Sequence, residues 1–216
     1  NQKNIAMKPN NLMAAAVGTG LLWFGWFGFN AGGAYQAGNL AAVAFANTFI
    51  ALASGMVTWT IYARLVRAKF DFVDVMTGSV AGLATITPIA GYIEPYKAVL
   101  VGIVAGIICN IALSFQEKKG WDDALGVWGV HGIGGFTGTI LIGLLADKEI
   151  NGVSASLQQL KIQVGGVIFV ALYAFILTAI ILKLLSHVMR IKPSDEQIQQ
   201  GLDETLLNEQ TYDLNP

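Results

Sequence analysis

Six apolar runs, at residues 11–30, 38–62, 73–88, 99–115, 124–146 and 162–185, constrain this chain more than any other feature of it. Each is about 16 to 25 residues long, close to the ~20 that carry a helix across a ~30 Å hydrocarbon core. Lipid offers backbone groups no partner, so such runs cross as helices that satisfy their own hydrogen bonds. The third run is the shortest and ends in Thr87-Pro88. Proline stops or kinks a helix there, and a tilted or partly sheltered helix is expected. With 54% hydrophobic and 12% charged residues among 216, and a mean hydropathy of +0.57, an ordinary soluble domain is excluded. The expected class is an all-α integral membrane protein. A net charge of -1 without blocks of like charge argues against nucleic acid as a partner.

Charge placement sets the orientation. With six spans both ends lie on one side, together with Lys3, Lys8, Arg64, Arg67, Lys69, Lys118, Lys119, Lys183, Arg190 and Lys192, while only Lys97, Lys148 and Lys161 lie opposite. By the positive-inside rule the termini are cytoplasmic, and an odd span number would spoil the bias. This divides the chain into a cytoplasmic lead-in (1–10), a transmembrane domain (11–190) and a polar, acid-rich tail (191–216). The chain opens on Asn1 and shows no signal-peptide pattern, so it is expected to be a piece of something longer.

Small residues show how the spans meet. Gly28/Gly32, Gly78/Gly82, Gly102/Gly106 and Gly134/Gly138 have GxxxG spacing, which lets helix backbones approach closely and reads as packing surface. Asn47, in mid-span, is expected to hydrogen-bond a neighbouring helix, because its amide is costly against lipid. Cys109, the single cysteine, reads as inert packing. No cofactor motif is present, and no cofactor is expected.

Two stretches carry chemistry. GVWGVHGIGGFTG sets His131 in an uncharged apolar run, where an ionisable group is expensive. Eight residues after Asp123, at 1.5 Å per residue, it lies about 12 Å into the bilayer, near the midplane. Either it is a neutral histidine satisfied inside a packed helix, or it lines a narrow passage. No carboxylate is expected within a span to pair with it, and desolvation without a partner favours the neutral ring, which offers one donor and one acceptor. The second stretch, GLLWFGWFGFN, crowds Trp23, Trp26, Phe27 and Phe29 at the outer end of the first span. Such rings form either an interfacial belt or a site for a small cation, worth about 0.5–2 kcal/mol per ring face.

Four segments together resemble one family, the Amt/Mep/Rh ammonium transporters. GLLWFGWFGFNAGGA is similar to its sixth-helix signature and ATITPIAGYIEP to its xxTPAxGY segment. WDDALGVWGVHGIGGFTG resembles DDxxDxFGVHGxGGxxG, and GLDETLLNEQTY resembles the cytoplasmic tail. The resemblance implies an eleven-helix fold of two inverted five-helix halves around a pore, of which this chain holds the sixth to eleventh helices, assembled as a homotrimer in the cell membrane. It implies that ammonium is recruited at an aromatic mouth, deprotonated and passed along histidines. His131 matches the second of twin pore histidines, Trp26 a vestibule tryptophan, Phe29 one of two gating phenylalanines, and Leu22 and Val127 pore-lining positions. The tail match, through Gly201, Leu202, Asp203 and Tyr212, implies an ordered segment that answers to a PII-type signal protein.

The chain departs from the family pattern in several places. The first pore histidine and the partner gate phenylalanine are absent, Gly33 replaces a usual serine, Gly126 the motif's second aspartate, and Trp128 its phenylalanine. The loss at Gly126 is expected to weaken a cytoplasmic helix start. A sensor that binds ammonium but conducts poorly is the main alternative, and a half-protein that co-assembles with intact relatives is a third reading.

Overall fold

A computed structural model describes residue 9, residues 11–68 and residues 71–209. Lys3, Lys8, Lys69 and Tyr212 lie outside the described residues. The described chain is helical, with no strand among its residues: α1 Leu12–Gly32, α2 Asn39–Arg67, α3 Phe72–Ile86, α4 Pro95–Lys119, a π-helical turn Trp128–Gly132 leading into α5 Ile133–Leu145, a short α6 Lys148–Asn151, α7 Leu157–Val188, α8 Asp195–Gln200 and a second π turn Asp203–Leu207. All six expected spans are helices. Five are long and apolar enough to cross a membrane by themselves, and α3 is the shorter one.

The chain forms two compact units, Asn1–Val167 and Ile168–Pro216. In the first, α2 packs along both α3 and α4. The glycine pairs of α3 and α4 converge on one stretch of α2: Gly78 and Gly106 meet Trp59, Gly82 meets the Ala51 carbonyl, and Gly102 meets Ser54 and Ala51. Gly55 sits where the three helices cross, and a Cβ there would lie 2.9 Å from the Gly78 carbonyl oxygen. Gly134 and Gly138 of α5 press on Thr85, so three of the four GxxxG pairs pack as expected. Gly28/Gly32 does not. Neither glycine has a neighbour within 4 Å of the Cβ it lacks, and α1 contains no buried residue.

The short third span is sheltered. Ten of its residues are buried, from Asp74 to Ile86. Asn47 supports the turn that follows, donating from Nδ2 to the carbonyls of Ala90 at 2.8 Å and Ile93 at 2.7 Å. The helix starts with a capping box in which Asp71 accepts from the Asp74 amide and Asp74 from the Asp71 amide. Asp74 corrects one expectation, since it is a carboxylate inside a span. It lies in the first turn, where the Trp59 indole donates to it at 3.1 Å and the Arg67 guanidinium pairs with it. Those partners account for it, and its charge belongs to the helix end.

In the second unit the described tail is ordered as helix. Ser194 and Gln197 form a capping box for α8, and the second π turn follows Gly201.

Candidate functional site

Residues four and three apart share a helix face, so Leu22, Trp26 and Phe29 form one stripe on α1. The aromatic residues expected to crowd a single mouth fan out in different directions. Phe27 leaves for α2, where it stacks on Phe45 with ring centroids 4.7 Å apart. Trp23 turns to α3 and donates its indole N–H to Ser79 Oγ at 3.0 Å. Trp26 donates to Thr87 Oγ1 at 2.8 Å, just past the end of α3, and of the α1 aromatic residues Phe29 lies beside it, edge-on at 6.4 Å. Phe29 is 68% exposed.

The second half of the site is built by an irregular helix start. Asp123 accepts from the amides of Val127 at 2.9 Å and Trp128 at 2.8 Å, capping the segment. Gly126 has φ +63, a left-handed conformation that favours glycine, and a Cβ there would lie 2.6 Å from Leu113 Cδ2. The expected weakening at Gly126 is therefore offset: Asp123 does the capping, and the glycine lets the turn close on α4. Trp128 joins Phe115 and Trp121 in an aromatic cluster, with centroids 5.0 Å apart between the two tryptophans. The helix opens at Trp128 and not at residue 124, so His131 lies in its first turn, and the 12 Å estimate from a continuous helix does not apply.

The position of His131 is set by a different contact. Its imidazole stacks on the Trp26 indole, with centroids 5.9 Å apart and planes 16° off parallel. Trp26 is fourteen residues after Leu12, about 21 Å along α1 at 1.5 Å per residue, in the last third of the helix. His131 is exposed, and among the described residues its ring nitrogens have no hydrogen-bond partner. The structure thus brings Phe29, Trp26 and His131 into one row. Leu22 lies one turn before Trp26 and Val127 four residues before His131, and they are 53% and 50% exposed. A π turn is rare and recurs at functional sites, because its extra residue re-aims the side chains it carries.

A model of the Ammonium Transporter Family matches residues 1–212. The chain belongs to this family. It is 38% identical over 218 residues to an ammonium transporter of Aquifex aeolicus, covering 99% of this chain and 51% of that one. It is 37% identical over 213 residues to ammonium transporter Amt1 of Archaeoglobus fulgidus, covering 96% and 54%. Among solved structures it is similar to Candida albicans Mep2, with a TM-score of 0.82 and 35% identity over 88% of this chain and 45% of that one. It is also similar to a structure described as a sensor Amt protein, with a TM-score of 0.84 and 32% identity over 90% and 49%. The all-α fold with membrane-length helices is the fold of these family members. The chain spans about half the length of the curated relatives it matches.

Two contributors escaped the sequence reading of this family member. Thr87 reads there only as the end of a span, although a hydroxyl next to a helix-stopping proline is a signal of a polar contact. Gly55 lacks a glycine partner four residues away. Its spacing from Ala51, small-xxx-small, is the pattern that marks it.

Proposed function

We propose that this chain forms part of an ammonium transporter of the cell membrane, in which the row Phe29, Trp26, His131 lines the substrate's path. The stacking of the imidazole on Trp26, with both ring nitrogens free of partners among the described residues, is the observation that carries this reading. A histidine held only for packing would be covered or hydrogen-bonded, because an unpaired polar group in an apolar setting is costly. Ammonium is drawn to the faces of Phe29 and Trp26, which attract a small desolvated cation. It then loses its proton, because carrying a bare cation along Leu22 and Val127 with no carboxylate beside the path is prohibitive. Ammonia passes the neutral imidazole, which offers one donor and one acceptor.

On this reading both ends of the chain are cytoplasmic, residues 11–190 form the transmembrane domain, and residues 191–216 form a tail. The protein works as a homotrimer, with the tail as the docking site for a PII-type signal protein. The sensor reading is kept by one observation. Gly33 lacks the hydroxyl that would help to hold the cation, and a relative described as a sensor Amt protein has the same fold at 32% identity. The test is ammonium flux through the full-length protein in liposomes. His131→Ala should abolish or alter ammonium selectivity with folding intact, and Phe29→Ala should loosen exclusion of potassium. Unchanged selectivity in both would remove the row from the path, whereas tight ammonium binding without flux in the unmodified protein would favour the sensor.

A further inference from the structure

We propose that Thr87 is a positioning residue that fixes the plane of the Trp26 indole and, through it, the orientation of the His131 imidazole. The inference rests on the reading of His131 as a pore group.

Thr87 is the C-cap of α3, directly before Pro88, and its hydroxyl is committed in one direction. Oγ1 donates to the Leu83 carbonyl at 2.7 Å, so the oxygen faces Trp26 only as an acceptor, and the indole Nε1–H donates to it at 2.8 Å. The carbonyl that takes the hydroxyl proton belongs to a helix whose last turns are buried: Leu83 and Thr85 are fully buried, and Gly134 and Gly138 of α5 press on Thr85. The acceptor is thus mounted on a buried, closely packed helix end, while the indole it holds sits on α1, which has no buried residue. The ring packs against the buried cluster that includes Ala84 and Val130, and this apolar contact is not directional, so the hydrogen bond is what selects its rotation. Tethered at Nε1, its plane is set by the line from α1 to Thr87, and the imidazole lies parallel to it, within 16°. Because the ring nitrogens of His131 have no hydrogen-bond partner among the described residues, the stack is the contact that orients them. Trp23, whose indole is held by Ser79 at 3.0 Å, is tethered in the same way about two turns back, so α3 and its C-cap carry two hydroxyls that set two indoles of α1.

The experiment compares Thr87→Val, which keeps the shape and removes the acceptor, with Thr87→Ser, which keeps both the acceptor and its donor to Leu83. Full-length protein carrying isotope-labelled histidine is reconstituted in nanodiscs, and the His131 ring resonance is assigned by its loss in His131→Gln. Thr87→Val should shift that resonance and lower ammonium flux about tenfold, as expected for one lost hydrogen bond, while Thr87→Ser leaves both unchanged. In a Trp26→Phe background, which has no indole N–H, Thr87→Val should add nothing. If Thr87→Val fails to fold, Thr87→Cys, a much weaker acceptor, gives the same readout. An unmoved His131 resonance, or an undiminished effect of Thr87→Val in the Trp26→Phe background, overturns the proposal. A moved resonance with flux indifferent to both Thr87→Val and His131→Gln would leave the positioning in place and overturn the pore reading on which it rests.

Discussion

The α2–α3–α4 crossing and helix α1 are made of similar residues and use them in opposite ways. At the crossing, Gly55, Gly78, Gly82, Gly102 and Gly106 bring backbones together until no side chain fits between them. On α1, Gly18, Gly20, Gly25, Gly28 and Gly32 meet nothing within 4 Å. Spacing alone does not distinguish the two, since Gly28/Gly32 and Gly78/Gly82 are the same motif. What distinguishes them is whether a second backbone is there to receive the groove. The crossing is a scaffold completed within the chain, whereas α1 is held to that scaffold by side-chain contacts: hydrogen bonds from Thr19, Trp23, Trp26 and Asn30 and the stacked ring of Phe27. A functional row sits on the loosely embedded helix and is aligned by the rigid one.

The sharpest way to break this contrast is a pair of glycine substitutions followed by thermal unfolding in detergent. Gly82→Ala pushes a methyl group into the Ala51 carbonyl and should cost about 3 kcal/mol. Gly28→Ala should be neutral or stabilising, by at most about 1 kcal/mol, because alanine is the better helix former and nothing stands in its way. Equal losses at both sites would mean that the α1 face is packed after all. A smaller effect is expected at the helix start that carries His131. Asp123→Ala removes the cap on two amides and should cost about 1–2 kcal/mol, with Asp123→Asn recovering much of it.

The smallest effect is a pH dependence at the end of α5. The Glu149 amide donates to Asp147, and the Lys97 ammonium pairs with it at 3.3 Å, so its carboxyl is held below the usual carboxylate range against an opposing effect of desolvation. A depressed value means that the contribution is complete above the unfolded-state value of about 3.9 and is lost as pH falls through the lower folded value. Unfolding temperature should therefore drop on acidification below about pH 4, and Asp147→Asn should flatten part of that drop. An unchanged profile would show that the contact adds nothing.

Most of the fold was legible because hydropathy dominates a chain in lipid. The six runs became six helices, and Asn47 found backbone carbonyls as a buried amide must. The site was legible in its residues and less so in its arrangement. Composition does not encode a π turn, so the helical path to His131 is not visible in the sequence, and the spacing of the aromatic residues of α1 hides which neighbour each will meet. Thr87 and Gly55 depend on contacts 61 and 27 residues away, to Trp26 and Gly82, that no local pattern reveals.

Exposure on α1 has two meanings, lipid and passage, and one measurement separates them. Cysteine is introduced singly at Leu22, at Val127, and at Phe24, which is 80% exposed on the other side of α1 from Leu22; the native Cys109 is buried and contributes little background. Ammonium flux through the full-length protein is then followed before and after a small cationic thiol reagent. The account predicts that Leu22→Cys and Val127→Cys lose flux on modification and are protected by ammonium, while Phe24→Cys does not respond. Inhibition at Phe24 alone, or at none of the three, would contradict it.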